Sequence, residues 1–239
     1  IDLNRYPLPI IEETTKRMRK IGLGVMGFAD MLLKLGIPYN SEQAVETARD
    51  LMAFIQKSAK KASEELGRVR GNFPLFAESV YPGQGYVTMR NATVTTIAPT
   101  GTISIIAGVS SGIEPVFAIS YIRNVLDNDK LIEVHPYFEQ VAKARGFFSQ
   151  ELMEKIAEQG SLHGITEVPE DVRRVFVTAH DITPEYHIRM QSAFQEFTDN
   201  AVSKTVNFPK AATKEDVRAA YDLAYSLGLK GVTIYRDGS

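Results

Sequence analysis

The chain has 239 residues, 44% of them apolar and 23% charged, which is enough to build a sizeable core and excludes wholesale disorder. Lys plus Arg number 27 against 29 Asp plus Glu, a formal net charge of -2. That balance excludes the strongly basic surface of a nucleic-acid coat and any electrostatic pull towards an anionic membrane.

No apolar run approaches about 18 residues, so no membrane-spanning helix is expected. Ile1-Asp2-Leu3-Asn4-Arg5 does not read as a signal peptide, and a cytoplasmic location is expected. The first residue is not Met, which suits a fragment or a processed chain. There is no cysteine. A disulfide framework, thiolate metal sites and a thiol nucleophile or thiyl radical on this chain are thereby excluded. The four histidines, His135, His163, His180 and His187, have no metal-ligand spacing, and no metal site is expected.

No repeat, low-complexity run or Gly/Ser/Pro linker divides the chain, so residues 1–239 read as one unit. Met18, Ile21, Val25, Phe28, Leu32 and Leu35 recur at spacings of three and four, predicting a helix over 11–35 that stops at Gly36 and Pro38. Within it lies Gly22-Leu-Gly24-Val-Met-Gly27, a literal GxGxxG. A dinucleotide site needs that motif directly after a strand, so inside a helix it reads as close packing. Asn40 or Ser41 caps a second helix with a stripe of Ala44, Ala48, Leu51, Ile55, Ala59, Ala62 and Leu66, ended by Gly67. Residues 69–89, broken by Gly71, Pro74, Pro82, Gly83 and Gly85, read as a surface excursion.

Thr93 to Ala98 is β-branched and apolar, a strand ended by Pro99. Residues 113–122 read as a second strand that Pro115 confines to an edge. Helices are expected near 136–145, 150–159 and 170–179, opened by Pro136, Ser149 and Pro169. Thr183-Pro184-Glu185 opens another, carrying Ile188, Gln191, Phe194 and Phe197. A short strand over 201–207 follows. Thr213 then caps a helix, with Asp216 as capping-box partner and Val217, Ala220, Tyr221, Ala224 and Leu227 facing inward. Gly228 stops it, and Gly231 to Tyr235 is a strand. Strand, helix and strand in so short a span make a βαβ unit with parallel strands.

The segment that carries chemistry runs from Arg90 to Pro115. After the strand comes a turn of Pro99, Thr100, Gly101, Thr102 and Ile103, with Ser104 next. If a helix starts there, its first N–H groups are unpaired, Gly101 admits an anion to the backbone, and the hydroxyls of Thr100, Thr102 and Ser104 donate. An ordinary capped turn accounts for the same residues. A second loop, Gly108 to Gly112, leads into Ile113, Glu114 and Pro115, and Ser110 and Ser111 read equally as ligand contacts or a plain turn. His135 before Pro136 marks the start of a helix. His180 and His187 read as capping or surface residues.

Several long stretches together resemble the C-terminal catalytic portion of adenosylcobalamin-dependent (class II) ribonucleotide reductases. They are Asn4-Arg-Tyr-Pro-Leu-Pro9, Arg19-Lys-Ile-Gly-Leu-Gly-Val-Met-Gly-Phe-Ala-Asp30, Arg90-Asn-Ala92, Ala98-Pro-Thr-Gly-Thr-Ile-Ser-Ile-Ile-Ala-Gly108 and Ser110-Ser-Gly-Ile-Glu-Pro115. Ile182-Thr-Pro-Glu-Tyr-His-Ile-Arg-Met-Gln191, Thr198-Asp-Asn-Ala-Val-Ser-Lys-Thr-Val-Asn-Phe-Pro209 and Tyr235-Arg-Asp-Gly-Ser239 complete the set.

The resemblance implies an α/β fold, the second half of a ten-stranded α/β barrel with flanking helices. It implies that Pro99, Thr100, Gly101, Thr102 and Ile103 hold substrate phosphates, and that Ser110, Ser111, Gly112, Ile113, Glu114 and Pro115 border the active site. The implied reaction is radical reduction of the ribose 2′-carbon of a ribonucleoside di- or triphosphate, started by homolysis of the adenosylcobalamin cobalt–carbon bond. The implied partners are the N-terminal half of the same enzyme, a second copy in a homodimer and a thiol reductant such as thioredoxin. The family's radical and redox cysteines match nothing here, so no catalytic residue is expected on this chain. A class I large-subunit fragment is the alternative, but Thr233 and Ile234 stand where its radical-relaying tyrosines would match. A silent nucleotide-binding scaffold is the third reading.

Overall fold

The computed structural model describes residues 1–124 and 130–238. The predicted first helix is two helices, α1 (Pro9–Met18) and α2 (Phe28–Leu35). Arg19 breaks the first with a left-handed φ of 50°, and the chain then runs extended to Gly27. It does so because a partner outbids the helix. Ile21 and Leu23 donate to the carbonyls of Thr93 and Val94 at 3.1 and 2.8 Å, and Thr96 donates to Leu23 at 2.9 Å. Three glycines in six residues also make a poor helix interior, each costing about 1 kcal/mol against alanine.

Gly22 and Gly24 therefore do not lie in a helix, as the periodicity had suggested. They still act by close packing. A Cβ on Gly24 would fall 2.3 Å from the Thr96 carbonyl oxygen, and one on Gly22 would fall 2.4 Å from Thr96 Cγ2. Gly27 spends its N–H on Ser110 O at 2.8 Å. The space a pyrophosphate would need is filled by protein.

Ser41 caps α3 (Glu42–Arg70), accepting from the Ala44 N–H at 3.1 Å. This helix runs through Gly67 and stops at Gly71. Gly67 is interior because the backbone of Met89 and Arg90 lies against it, 3.0 Å from where a Cβ would be. The buried line is Ala44, Val45, Ala48, Met52, Ser63 and Gly67, whereas Ala62 and Leu66 face out. Residues 72–92 are more than a surface excursion. Phe73, Tyr81 and Met89 form a small core of their own, and the Tyr81 hydroxyl donates to Ala92 O at 3.0 Å.

The predicted strand at 93–98 is a spine with a neighbour on each side. Thr95 bridges Leu23 and Ile97 bridges Val202, both in parallel. Further along, β3 (Thr205–Phe208) pairs in parallel with β4 (Thr233–Arg236), Thr205 opposite Thr233. Extended segments near 23, 95, 202–208 and 233–236 thus lie side by side and run the same way. Between the last two, α9 (Lys214–Ser226) has the predicted capping box of Thr213 and Asp216. It buries Ala220 and Ala224, but Tyr221 and Leu227 are exposed.

After the spine comes α4 (Gly101–Ala107). The predicted strand over 113–122 begins only at Ser120. Pro115 lacks an N–H for a ladder, and the side chain of Glu114 is drawn to β3. From there β1 (Ser120–Asn124) and β2 (Lys130–Val134) form an antiparallel pair. It packs on α6 (Gln150–Gln159), while α5 (Pro136–Ala144) and α7 (Glu170–Val175), the latter four residues shorter than predicted, add Phe138 and Val172 to the same core. Finally α8 (Pro184–Gln195) crosses the centre, its Phe194 ring edge-on to Phe28 at 5.0 Å. No helix among the described residues is long and apolar enough to cross a membrane.

Candidate functional site: an open turn beside a cavity

The spine delivers the chain to Pro99, and Thr100 turns it with a left-handed φ of 53°. This is a strained conformation for a β-branched residue. The first helical bond of α4 runs from the Ser104 N–H to Thr100 O at 2.9 Å. The N–H groups of Gly101, Thr102 and Ile103 precede it and have no acceptor within the helix. Gly101 and Thr102 are exposed, and nothing lies within 4 Å of where a Gly101 Cβ would be.

The hydroxyls divide. Thr102 faces out. Thr100 Oγ1 accepts from the Gly112 N–H at 2.7 Å, so it ties the turn to the second loop. Ser104, expected to face a ligand, is turned inward instead, bonded to Ser111 Oγ at 2.8 Å and to Gly101 O at 3.1 Å.

Every residue of the second loop has its place. Asp30 Oδ2 accepts from the Ser110 N–H at 2.6 Å, and Asp30 Oδ1 lies 3.2 Å from His135 Nε2. Burial alone would raise the Asp30 pKa, but these hydrogen bonds outweigh it and hold the carboxyl at about 2. Gly112 and Ile113 are buried, and Ile113 O accepts from the Tyr39 hydroxyl at 2.5 Å. Glu114 Oε1 accepts from the Thr205 N–H at 2.6 Å, and Glu114 Oε2 from Lys204 Nζ at 2.7 Å.

Lys204 is the group sequence reasoning missed. Its side chain is wholly buried, and its ammonium donates to Glu114, to His187 Nδ1 at 2.8 Å and to Thr205 O. Burial lowers its pKa, and Glu114 works against that shift. An ammonium can only donate, so Nδ1 of His187 accepts and its Nε2–H donates to Ala179 O, 3.1 Å away. Burial, reinforced by the Lys204 charge, pushes His187 down to about 3, so it is neutral. His187 is thus a core residue, not the capping or surface residue expected. The missed signal was a lysine between the apolar positions Val202 and Val206, with an acid, Glu114, next to a proline.

A cavity of about 1160 Å³ opens beside these loops. Ser110, Ser111, Glu114 and Pro115 line it, with Thr205 and Asn207 from β3 and Thr233 and Tyr235 from β4. Ser104 and Ile105 of α4 join its wall, which places the Thr100 turn at its border. Gly112 and Ile113 lie behind the wall, not on it. The arrangement is a cavity with an open helix start, led by Gly101, at one side.

The family model for the ribonucleotide reductase barrel domain matches residues 1–235. This chain belongs to that family, and the parallel segments with their flanking helices are its α/β barrel architecture. The chain is 50% identical over 239 residues to the vitamin B12-dependent ribonucleoside-diphosphate reductase of Thermoplasma acidophilum, covering 100% of this chain and 31% of that protein. It is 49% identical to the protein of the same name from Mycobacterium tuberculosis, again over its full length and 34% of the relative. The chain thus spans about a third of the curated relatives it matches. The class Id ribonucleotide reductase alpha subunit of Actinobacillus ureae superposes with a TM-score of 0.82 at 26% identity, covering 98% of this chain and 42% of that one.

Proposed function

We propose that this chain is one continuous portion of the catalytic barrel of a vitamin B12-dependent ribonucleotide reductase, and that residues 99–103 hold the substrate's phosphates. The observation that carries the phosphate assignment is the open turn at Gly101. Three backbone N–H groups lead a helix there, Gly101 leaves open space where a side chain would stand, and a cavity lies alongside. Oriented N–H groups and the positive end of the helix favour an anion without any lysine. The relatives' names favour a ribonucleoside diphosphate as the ligand. Ser110 and Ser111 would face the rest of the nucleotide, Pro115 would shape the wall beside them, and Glu114, with both carboxylate oxygens taken by Lys204 and Thr205, would support that wall with Gly112 and Ile113 without touching the ligand.

The remaining chemistry is assigned elsewhere in the protein. With no cysteine, this chain supplies neither a thiyl radical nor a reducing pair. The relatives' dependence on vitamin B12 supports cobalamin as cofactor, in its adenosyl form on the proposed chemistry. The cofactor's main contacts are assigned to the rest of the protein. So are the thioredoxin-like reductant's docking point and the homodimer contact, and the setting is the cytoplasm. The exposed Ile103, Ile105 and Ile106 of α4 suit cover by the N-terminal half of the same enzyme.

The test uses the full-length protein. Gly101→Val should abolish measurable ribonucleotide binding while leaving the melting temperature unchanged, because a branched side chain fills the anion's approach. Unimpaired binding by that variant would make the turn structural only. The isolated 239-residue chain should form no deoxynucleotide with adenosylcobalamin and dithiol, and should bind a hydrophobic dye.

A further inference from the structure

Lys204 is a fully desolvated cation that the reaction proposed above does not use. Its surroundings are unusually complete. An ammonium has three N–H donors, and here they meet a carboxylate oxygen, a neutral imidazole nitrogen and a backbone carbonyl. Each acceptor is itself fixed. His187 is held through Nε2 by Ala179 O, Thr205 O belongs to β3, and Glu114 is bound a second time by the Thr205 N–H.

An ion pair with its lysine fully buried is weak as a stabiliser, because the desolvation of that cation offsets most of the attraction. What it supplies is direction. An apolar contact tolerates a slide of an ångström, whereas three convergent hydrogen bonds do not. The direction matters at Glu114, because that residue sits in the cavity wall and ends the loop that meets the Thr100 turn. Two residues back, the Gly112 N–H is bonded to Thr100 Oγ1, and Ser111 Oγ is bonded to Ser104 Oγ. Hydrogen bonds joined by two short stretches of chain therefore run from β3 through Lys204 and Glu114, and through Gly112 and Thr100, to the start of α4.

We propose that Lys204 is a positioning residue for nucleotide binding: by clamping Glu114 it sets the loop that holds the Thr100 turn open to phosphate. The inference rests on the phosphate reading of that turn. Lys204 touches no ligand itself, and its effect is confined to the phosphorylated end.

The experiment compares three variants of the full-length protein: Lys204→Met with Glu114→Gln, Glu114→Gln alone, and Gly101→Val. The double variant removes both charges of the pair at once, so neither is stranded, and because His187 Nδ1 loses its donor a lower melting temperature with the fold retained is expected. Affinity is measured for a ribonucleoside diphosphate and for the same ribonucleoside without phosphates. The double variant should bind the diphosphate about tenfold more weakly and the nucleoside unchanged. Glu114→Gln alone should show the same selective loss, and it serves as the reading if the double variant does not fold.

Parent-like diphosphate affinity in a folded double variant would overturn the proposal, and so would equal losses for both ligands. Gly101→Val separates the two ideas. If it loses diphosphate binding while the double variant does not, the phosphate turn stands and the role of Lys204 falls. If it binds normally, the turn itself is misassigned and the positioning role falls with it.

Discussion

Two glycine-bearing segments sit on either side of the same loop, and they have opposite fates. In Gly22 to Gly27 the missing side chains are consumed by the protein, since a Cβ on Gly24 would meet Thr96 O at 2.3 Å. In Pro99 to Ile103 the missing side chain is left as space, with nothing within 4 Å of where a Gly101 Cβ would be. Both segments hold the 110–115 loop, Gly27 through Ser110 O and Thr100 through the Gly112 N–H. Glycine admits neighbouring backbone in the first segment and leaves open space in the second, and only the three-dimensional neighbours decide which.

The hardest test of this contrast is to add one methyl group on each side. Gly24→Ala should lose about 3 kcal/mol or more of stability, because two parallel segments must part to admit it. Gly101→Ala should change stability by less than about 0.5 kcal/mol, as expected for an open surface position. Urea unfolding of both variants measures the difference, and equal losses would erase the contrast.

Next in size is the hydroxyl on the open side. Thr102→Ala should weaken diphosphate binding by about 1.5–3 kcal/mol, the worth of one hydrogen bond to a charged group. That is roughly ten- to a hundredfold in affinity, read by titration calorimetry on the full-length protein. An unchanged affinity would leave the backbone N–H groups as the whole of the site.

A separate set of effects comes from acid. The Asp30 pKa is lowered from 3.8 to about 2 in the folded protein, so its contribution is fully present above 3.8 and fades as pH falls through about 2. His187 adds to the same trend. Its pKa falls from 6.5 to about 3 on folding, so stability declines as pH drops through that window and buried imidazole must charge. Asp30→Asn should flatten the stability curve between 3.8 and 2, and His187→Gln should flatten it between 6.5 and 3, in thermal melts across pH.

The smallest change expected is Thr100→Ser. It keeps the oxygen that accepts from Gly112 and removes the methyl of a residue at φ 53°. Nucleotide affinity and melting temperature should both stay near the parent values. A clear loss of binding with unchanged melting would show that the Thr100 methyl, and not only its hydroxyl, shapes the turn.

By itself the sequence determined the features that depend on a few adjacent residues. Ser41, Ser149, Thr183 and Thr213 cap helices where they were read to do so, and the last βαβ unit is parallel. A chain-length run of motifs also placed it in its family. Tertiary structure alone decided the rest. Pairing with Thr93 to Thr96 pulled residues 20–26 out of the helix their periodicity favoured, because several sheet hydrogen bonds outweigh the weak preference of a glycine-rich stretch. Ser104 turned inward because Ser111 arrived beside it. Lys204 is buried because Glu114, 90 positions away, and His187, 17 away, meet it as acceptors. A charge can leave water only when such partners converge on it, and that convergence belongs to the fold and to no local pattern of residues.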